Sequence, residues 1–185
     1  MKDIATNVKF CLFTLCVGLF LAFARPAAVQ ADGVVCFGDS ITAGSGGFAG
    51  YPAHLTNLVS FNVVNQGKGG ERTSGGVGRI SSSLATYAPQ YIIIMEGAND
   101  VLSGFSPSTT KFNLGSMIDQ SAAAGATPIL STITPNTKFG QFTAEVSVLY
   151  NPQISALAGE KGVALVDSYA RVVDNWASLT SDGLH

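Results

Sequence analysis

Charge is scarce in this sequence and cysteine is nearly absent. Of 185 residues, 10 are Lys or Arg and 12 are Asp or Glu, a charged fraction of 12% with a formal net charge of −2. A nucleic-acid binder built on a basic footprint needs an excess of Lys and Arg on one face, and no such excess is available. Disorder is excluded from the other side, because 46% of the residues are apolar and can bury a core. Proline numbers only 7, and the 21 glycines follow no Gly-X-Y period, so collagen-like and low-complexity chains are ruled out too. No uncharged apolar run reaches the 20 or so residues of a spanning helix. The longest is FCLFTLCVGLFLAFA, fifteen residues over 10–24.

That run is flanked by Lys2 and Lys9 before it and Arg25 after it, the pattern of a secretory signal peptide. Val29-Gln30-Ala31 offers the short side chains of a cleavage site. An uncleaved N-terminal anchor is the alternative reading. Neither Cys11 nor Cys16 lies in a lipoprotein box, since Phe13-Thr14-Leu15 precedes Cys16 where small residues would stand. The expectation is that residues 1–31 are a signal removed after Ala31. Residues 32–185 would then be an exported domain, periplasmic or extracellular, with no stable membrane span. Cys36 alone would remain, which excludes an intramolecular disulfide. Its place within Val34-Val35-Cys36-Phe37 reads as a buried structural thiol rather than a nucleophile. The 7 basic and 11 acidic residues of this part give it a net charge of −4, which favours solubility and specifies no partner.

Short apolar runs rich in Val and Ile recur at 33–37, 61–65, 91–95, 127–133 and 162–166. They lack strict alternation, as buried parallel strands do. Between them lie stretches with helical spacing: Val77, Ile80 and Leu84, then Leu114, Met117, Ile118 and Ala122. Residues 144–161 form a further candidate helix, with Pro152 expected to break or kink it. Strand alternating with helix predicts one doubly wound α/β/α domain whose ligands sit at the carboxyl ends of the strands.

The residues after each strand are therefore the candidates for chemistry. Gly38-Asp39-Ser40 follows the first; Ser40 could present its hydroxyl at the sheet edge, or Asp39 or Ser40 could cap the next helix. The glycines at 44, 46 and 47 suggest a phosphate cradle only weakly, for they match no P-loop or dinucleotide fingerprint. Asn65-Gln66-Gly67-Lys68-Gly69-Gly70-Glu71 follows the second strand, either as a mobile surface loop or as a donor of backbone N–H to an oxyanion. Glu96-Gly97-Ala98-Asn99-Asp100 follows the third, where the Asn99 amide could be a second donor or a turn former. The chain closes on Asp182-Gly183-Leu184-His185, in which a carboxylate three residues before an imidazole could fix its tautomer. His54, the other histidine, reads as a surface or packing residue.

Taken together, Phe37-Gly-Asp-Ser-Ile-Thr42, Asn65-Gln-Gly-Lys-Gly-Gly70, Gly97-Ala-Asn-Asp100 and Asp182-Gly-Leu-His185 resemble the SGNH, or GDSL-type, esterase and lipase family. Their order and spacing extend from residue 34 to 185. The resemblance implies a flavodoxin-like three-layer α/β/α sandwich with a central parallel sheet of about five strands. It also implies hydrolysis of acyl esters or thioesters without a cofactor. Carried onto this sequence, Ser40 would be the nucleophile, His185 the base and Asp182 its orienting acid. The oxyanion donors would be the N–H groups of Ser40 and Gly70 and the Asn99 amide, with Asp39 supporting. The partner would be a small-molecule ester: an acyl ester, a lysophospholipid or an acetylated sugar.

Members of the family continue past this histidine with a Pro-Asn-like turn and a last helix over one face of the sheet, whereas this sequence stops on His185. The expectation is of a fragment with apolar sheet surface uncovered and His185 at a frayed terminus beside a free α-carboxylate, poorly active and marginally stable as given. The loops 45–51, 103–111 and 134–142, with Phe48, Phe105, Phe139 and Phe142, are candidate walls of an acyl pocket. An acetyl-carbohydrate esterase, a non-catalytic carbohydrate- or surface-binding module and a flavin-binding protein are the alternative readings.

Overall fold

The computed structural model describes residues 31–45, 47, 49–140 and 142–185, so the expectations for the leader and for Phe48 lie outside the described residues. Five strands form one parallel sheet: β1 (Ala31–Gly38), β2 (Asn62–Gly67), β3 (Pro89–Met95), β4 (Thr127–Ser131) and β5 (Ala164–Val166). Their order is β2-β1-β3-β4-β5. All five anticipated runs are strands, with ends displaced by no more than two residues. Parallel neighbours cannot be joined by a tight hairpin, so a helical crossover separates each pair. The crossovers contain α1 (Ser40–Ala43) and α2 (Tyr51–Leu55), then α3 (Thr73–Tyr87), α4 (Ala98–Leu102) and α5 (Pro107–Ala123). After β4 come α6 (Phe142–Glu145), a π-helical turn (Val146–Tyr150) and α7 (Asn151–Lys161). Past β5 lie α8 (Ser168–Val172), a 3₁₀ turn (Val173–Asn175) and α9 (Trp176–Leu179).

The two faces of the sheet differ. Val35 and Phe37 of β1, Ile92 and Ile94 of β3 and Leu130 of β4 are fully buried. They form one cluster with Ile80 and Leu84 of α3, Leu114 and Met117 of α5, and Ile154 and Leu157 of α7. Burying such side chains is worth about 1.5–3 kcal/mol each, and this layer carries most of the fold's stability. The opposite face is covered more thinly, by α1 and α2 over β1 and β2. Cys36 is nonetheless fully buried there, and burial pushes its thiol up to about 11, as befits an inert structural cysteine. Further along this face, Val34, Leu55, Phe61, Tyr91, Ile93 and Ile129 line an open apolar depression.

The break or kink expected at Pro152 falls just before it, where the π-helical turn separates α6 from α7. Pro152 sits in the first turn of α7, where its missing N–H has no intrahelical partner to lose. The π-helical turn before it lets the chain run on from α6, and π-turns often lie near functional sites. Here the turn sends the Tyr150 hydroxyl to the carbonyl of Phe105, and Asn151 grips Ile133 through both backbone groups at 2.9 Å. Among the described residues no helix is long and apolar enough to cross a membrane.

Candidate active site

The site lies at the carboxyl ends of β1, β2 and β3, where ligands bind in open α/β sheets. Gly38 ends β1 because nothing larger fits: a Cβ there would stand 2.2 Å from both the Met95 carbonyl and the Thr42 hydroxyl. The chain then turns sharply into α1. The Asp39 carboxylate caps that helix, accepting from the Ile41 N–H at 2.9 Å. Capping thus falls to Asp39, and the neighbouring Ser40 hydroxyl is left to face the site. Burial pushes the Asp39 carboxyl up to about 7 against the pull of that same N–H.

The last four residues meet Ser40 across 145 positions of sequence. His185 Nε2 lies 3.0 Å from Ser40 Oγ, and His185 Nδ1 lies 2.8 Å from Asp182 Oδ2. A carboxylate only accepts, so Nδ1 carries the proton and Nε2 of the neutral ring is free to accept from the serine. The other Asp182 oxygen takes the N–H groups of Leu184 and His185 at 3.0 and 2.8 Å, closing a local turn. The His185 N–H, then the Lys138 ammonium and the imidazole, hold the Asp182 carboxyl well below the usual carboxylate range. Gly183 is in the left-handed region at φ 80°, and its carbonyl accepts from the N–H groups of Thr137 and Lys138 and from the Trp176 indole. The terminal segment expected to fray is therefore tied to the β4–α6 loop and to α9. His54 is exposed on α2, as the sequence suggests.

Asn99 opens α4 behind Gly97, whose φ of 124° only glycine adopts readily. Its side-chain amide donates to the Glu71 carbonyl at 2.8 Å, which holds it beside Gly70. Asp100, whose role the sequence reading left blank, is fully buried and accepts from the Thr73 N–H at 2.8 Å and the Thr73 hydroxyl at 2.5 Å. It caps α3 from a distance, a task the preceding Arg72 side chain does not perform. Beneath this loop lies a further group that sequence reasoning missed. Arg79 pairs through Nε and Nη2 with the buried Glu71 carboxylate and stacks on Phe37, with its guanidinium carbon 3.9 Å from the ring centre. Glu96, also buried, reaches the same cluster. Burial, reinforced by the neighbouring Glu71 carboxylate, pushes Glu96 up to about 10, so it stays protonated within this cluster. Burial pushes the Glu71 carboxyl up as well, but Arg79 and Glu96 outweigh this and hold it below its ordinary value.

A cavity of about 430 Å³ adjoins Ser40 and His185. Its walls are chiefly apolar, with Tyr51, Leu55, Ile93, Met95, Val166 and Trp176 prominent among them. Of the candidate loops, 45–51 brings Ser45, Ala49, Gly50 and Tyr51 to the cavity and 134–142 brings Thr134, whereas Phe105, Phe139 and Phe142 are not among its walls. Phe105 lies under the Arg72 guanidinium, Phe139 is exposed, and Phe142 packs against Phe139 and the core. Contacts with other parts of the protein decide the place of Phe105 and Phe142.

A hydroxyl, an imidazole and a carboxylate in one hydrogen-bonded line at the carboxyl edge of a parallel sheet define the class of α/β acyl hydrolases. Residues 36–185 match the model of the GDSL-like lipase/acylhydrolase family. The chain belongs to this family, also known as the SGNH hydrolases, and is an ester hydrolase of that type. Esterase TesA of Pseudomonas aeruginosa is 30% identical over 182 residues, covering 94% of this chain and 88% of its own. "Thioesterase 1/protease 1/lysophospholipase L1" of Escherichia coli strain K12 is 29% identical over 174 residues, 90% of this chain and 81% of its own. A crystal structure of TesA superposes with a TM-score of 0.71 at 28% identity, covering 83% of this chain and 88% of that one.

Proposed function

We propose that this protein hydrolyses acyl esters and thioesters with Ser40 as nucleophile, His185 as general base and then general acid, and Asp182 as the carboxylate that orients the imidazole. The observation that carries this reading is the unbroken line from Ser40 Oγ to His185 at 3.0 Å and from His185 to Asp182 at 2.8 Å. As Oγ attacks the acyl carbon, its proton passes to Nε2 and the imidazolium is stabilised by Asp182. The tetrahedral intermediate collapses, and His185 returns that proton to the departing alkoxide or thiolate. Water then repeats the sequence on the acyl-enzyme, its proton going to Nε2 and onward to Ser40 Oγ as the acid leaves.

The oxyanion is held by the N–H groups of Ser40 and Gly70 and by Asn99. The Asn99 amide uses one of its two hydrogens on the Glu71 carbonyl and keeps the other for this purpose. The apolar cavity beside Ser40 favours an ester with an apolar acyl chain over an acetylated sugar. The names of the relatives, an esterase and a thioesterase/lysophospholipase, point to the same substrate class. Hydrolysis of p-nitrophenyl esters of increasing chain length tests this, with kcat/KM rising beyond the acetate. In the same assay Asn99→Ala should lower kcat by about a hundred- to a thousand-fold with little change in KM, because the oxyanion exists only in the transition state. A raised KM at unchanged kcat would remove Asn99 from the oxyanion hole.

We also infer that residues 1–31 direct export and that the mature protein begins at Asp32. N-terminal sequencing of the exported protein should read from Asp32; a sequence still beginning at Met1 would contradict it.

A further inference from the structure

The Asp182 carboxylate serves two cations. Lys138 Nζ lies 2.9 Å from Asp182 Oδ2, the same oxygen that receives His185 Nδ1 at 2.8 Å. Lys138 comes from the loop between β4 and α6, 44 residues away from Asp182 in sequence. Its backbone is anchored independently, since the N–H groups of Thr137 and Lys138 both donate to the Gly183 carbonyl, at 2.8 and 3.2 Å. The ammonium is therefore not needed to hold the loop in place, and its position on the catalytic oxygen calls for another explanation.

We propose that Lys138 is a positioning residue that, by sharing the Asp182 carboxylate with His185, sets the pH below which the general base is lost. The inference rests on the assignment of Ser40, His185 and Asp182 made above. When His185 takes the serine proton, the imidazolium finds its counter-ion already partly neutralised, and a second positive charge lies against the same oxygen. Lys138 thus disfavours the protonated ring and keeps the base ready to lower pH. Asp39 from the β1–α1 turn also acts on the imidazole and works in the opposite sense, as does the α-carboxylate of His185 itself. The Thr180 hydroxyl at 3.4 Å from Asp182 and the Trp176 indole on Gly183 are neutral and do not change this balance.

The test is the acid limb of the kcat/KM–pH profile for a p-nitrophenyl ester, with the pH dependence of Ser40 labelling by a fluorophosphonate as a second readout free of substrate binding. Lys138→Met should move both limbs to higher pH by about half to one unit, a size set by a partly exposed charge a few ångströms from the ring. Lys138→Arg, which keeps the charge, should stay at the wild-type limb, a rescue that a merely structural role would not single out. Lys138→Gln serves in the same assay if the Met variant does not fold. Limbs unchanged by Met or Gln in an active protein would overturn the role of Lys138 alone. A wild-type enzyme with no serine-dependent limb would overturn the triad assignment and this inference with it.

Discussion

Ser40→Ala should lower ester turnover by about four to six orders of magnitude, the loss typical when the nucleophile of a serine hydrolase is removed. Fold stability should hardly change. Ser40 is half-buried in the first turn of α1, and the helix cap belongs to Asp39, so the substitution removes one hydroxyl and its hydrogen bond to His185. A net loss of about 0.5–1.5 kcal/mol follows from such a bond. The two measurements separate chemistry from folding: turnover of p-nitrophenyl esters and the thermal midpoint. Wild-type turnover in Ser40→Ala would show that another group attacks the ester. A collapsed midpoint would show that Ser40 holds the fold rather than the substrate.

The second large effect concerns stability and lies beneath the site. Arg79 is the half-buried counter-ion of Glu71, whose side chain is only 2% exposed, and the exposed Lys68 ammonium lies 3.3 Å from the same carboxylate. Arg79→Met removes the guanidinium and leaves that carboxylate with the exposed Lys68 ammonium alone, a change that costs about 3 kcal/mol, the lower end of what breaking a buried pair costs. In a domain of this size the thermal midpoint should fall by about 6–12 °C. The loss should deepen as pH rises, because the stranded carboxyl can escape only by taking a proton. Turnover should fall as well, since the Glu71 carbonyl holds the Asn99 amide.

Glu96→Gln is the contrasting substitution. The Glu96 carboxyl is pushed from 4.5 up to about 10. The native state therefore keeps a proton that the unfolded chain releases above about 4.5. Its contribution to stability is complete below that value and is lost as pH rises toward 10. Gln has the same shape but cannot ionise, so the variant should match wild type near pH 5 and exceed it at pH 8. Asp39, raised to about 7, imposes a slope of the same sign and is still present in the variant, so the dependence should flatten rather than vanish. Parallel pH–stability curves for the two proteins would contradict the assignment of a protonated Glu96.

The residues that meet at the candidate site were legible in the sequence because each follows a strand or sits in a short local pattern. Ser40 comes two residues after the end of β1, Asn99 four after β3, and Asp182 and His185 share one turn. The strands were legible for a related reason: buried parallel strands are continuous Val/Ile runs, and those runs survive any arrangement of helices. What stayed hidden depends on pairs far apart in the chain. Lys138 meets Asp182 across 44 residues and Thr73 meets Asp100 across 27, and neither pair leaves a periodic trace. Arg79 lies only 8 residues from Glu71, but its position over Phe37 comes from the packing of α3 on β1. Loop 45–51 does line the cavity, but the phenylalanines were misread as walls because aromatic content in a loop does not reveal direction. Phe105 and Phe142 turn toward other parts of the protein, while Trp176 and Val166 arrive from late in the chain.

Covalent labelling distinguishes an activated Ser40 from an ordinary hydroxyl. Treatment with a fluorophosphonate followed by peptide mass spectrometry should place one adduct on Ser40, and His185→Ala should slow its formation by orders of magnitude. A folded protein that takes no adduct, or takes it on another residue, would contradict the account.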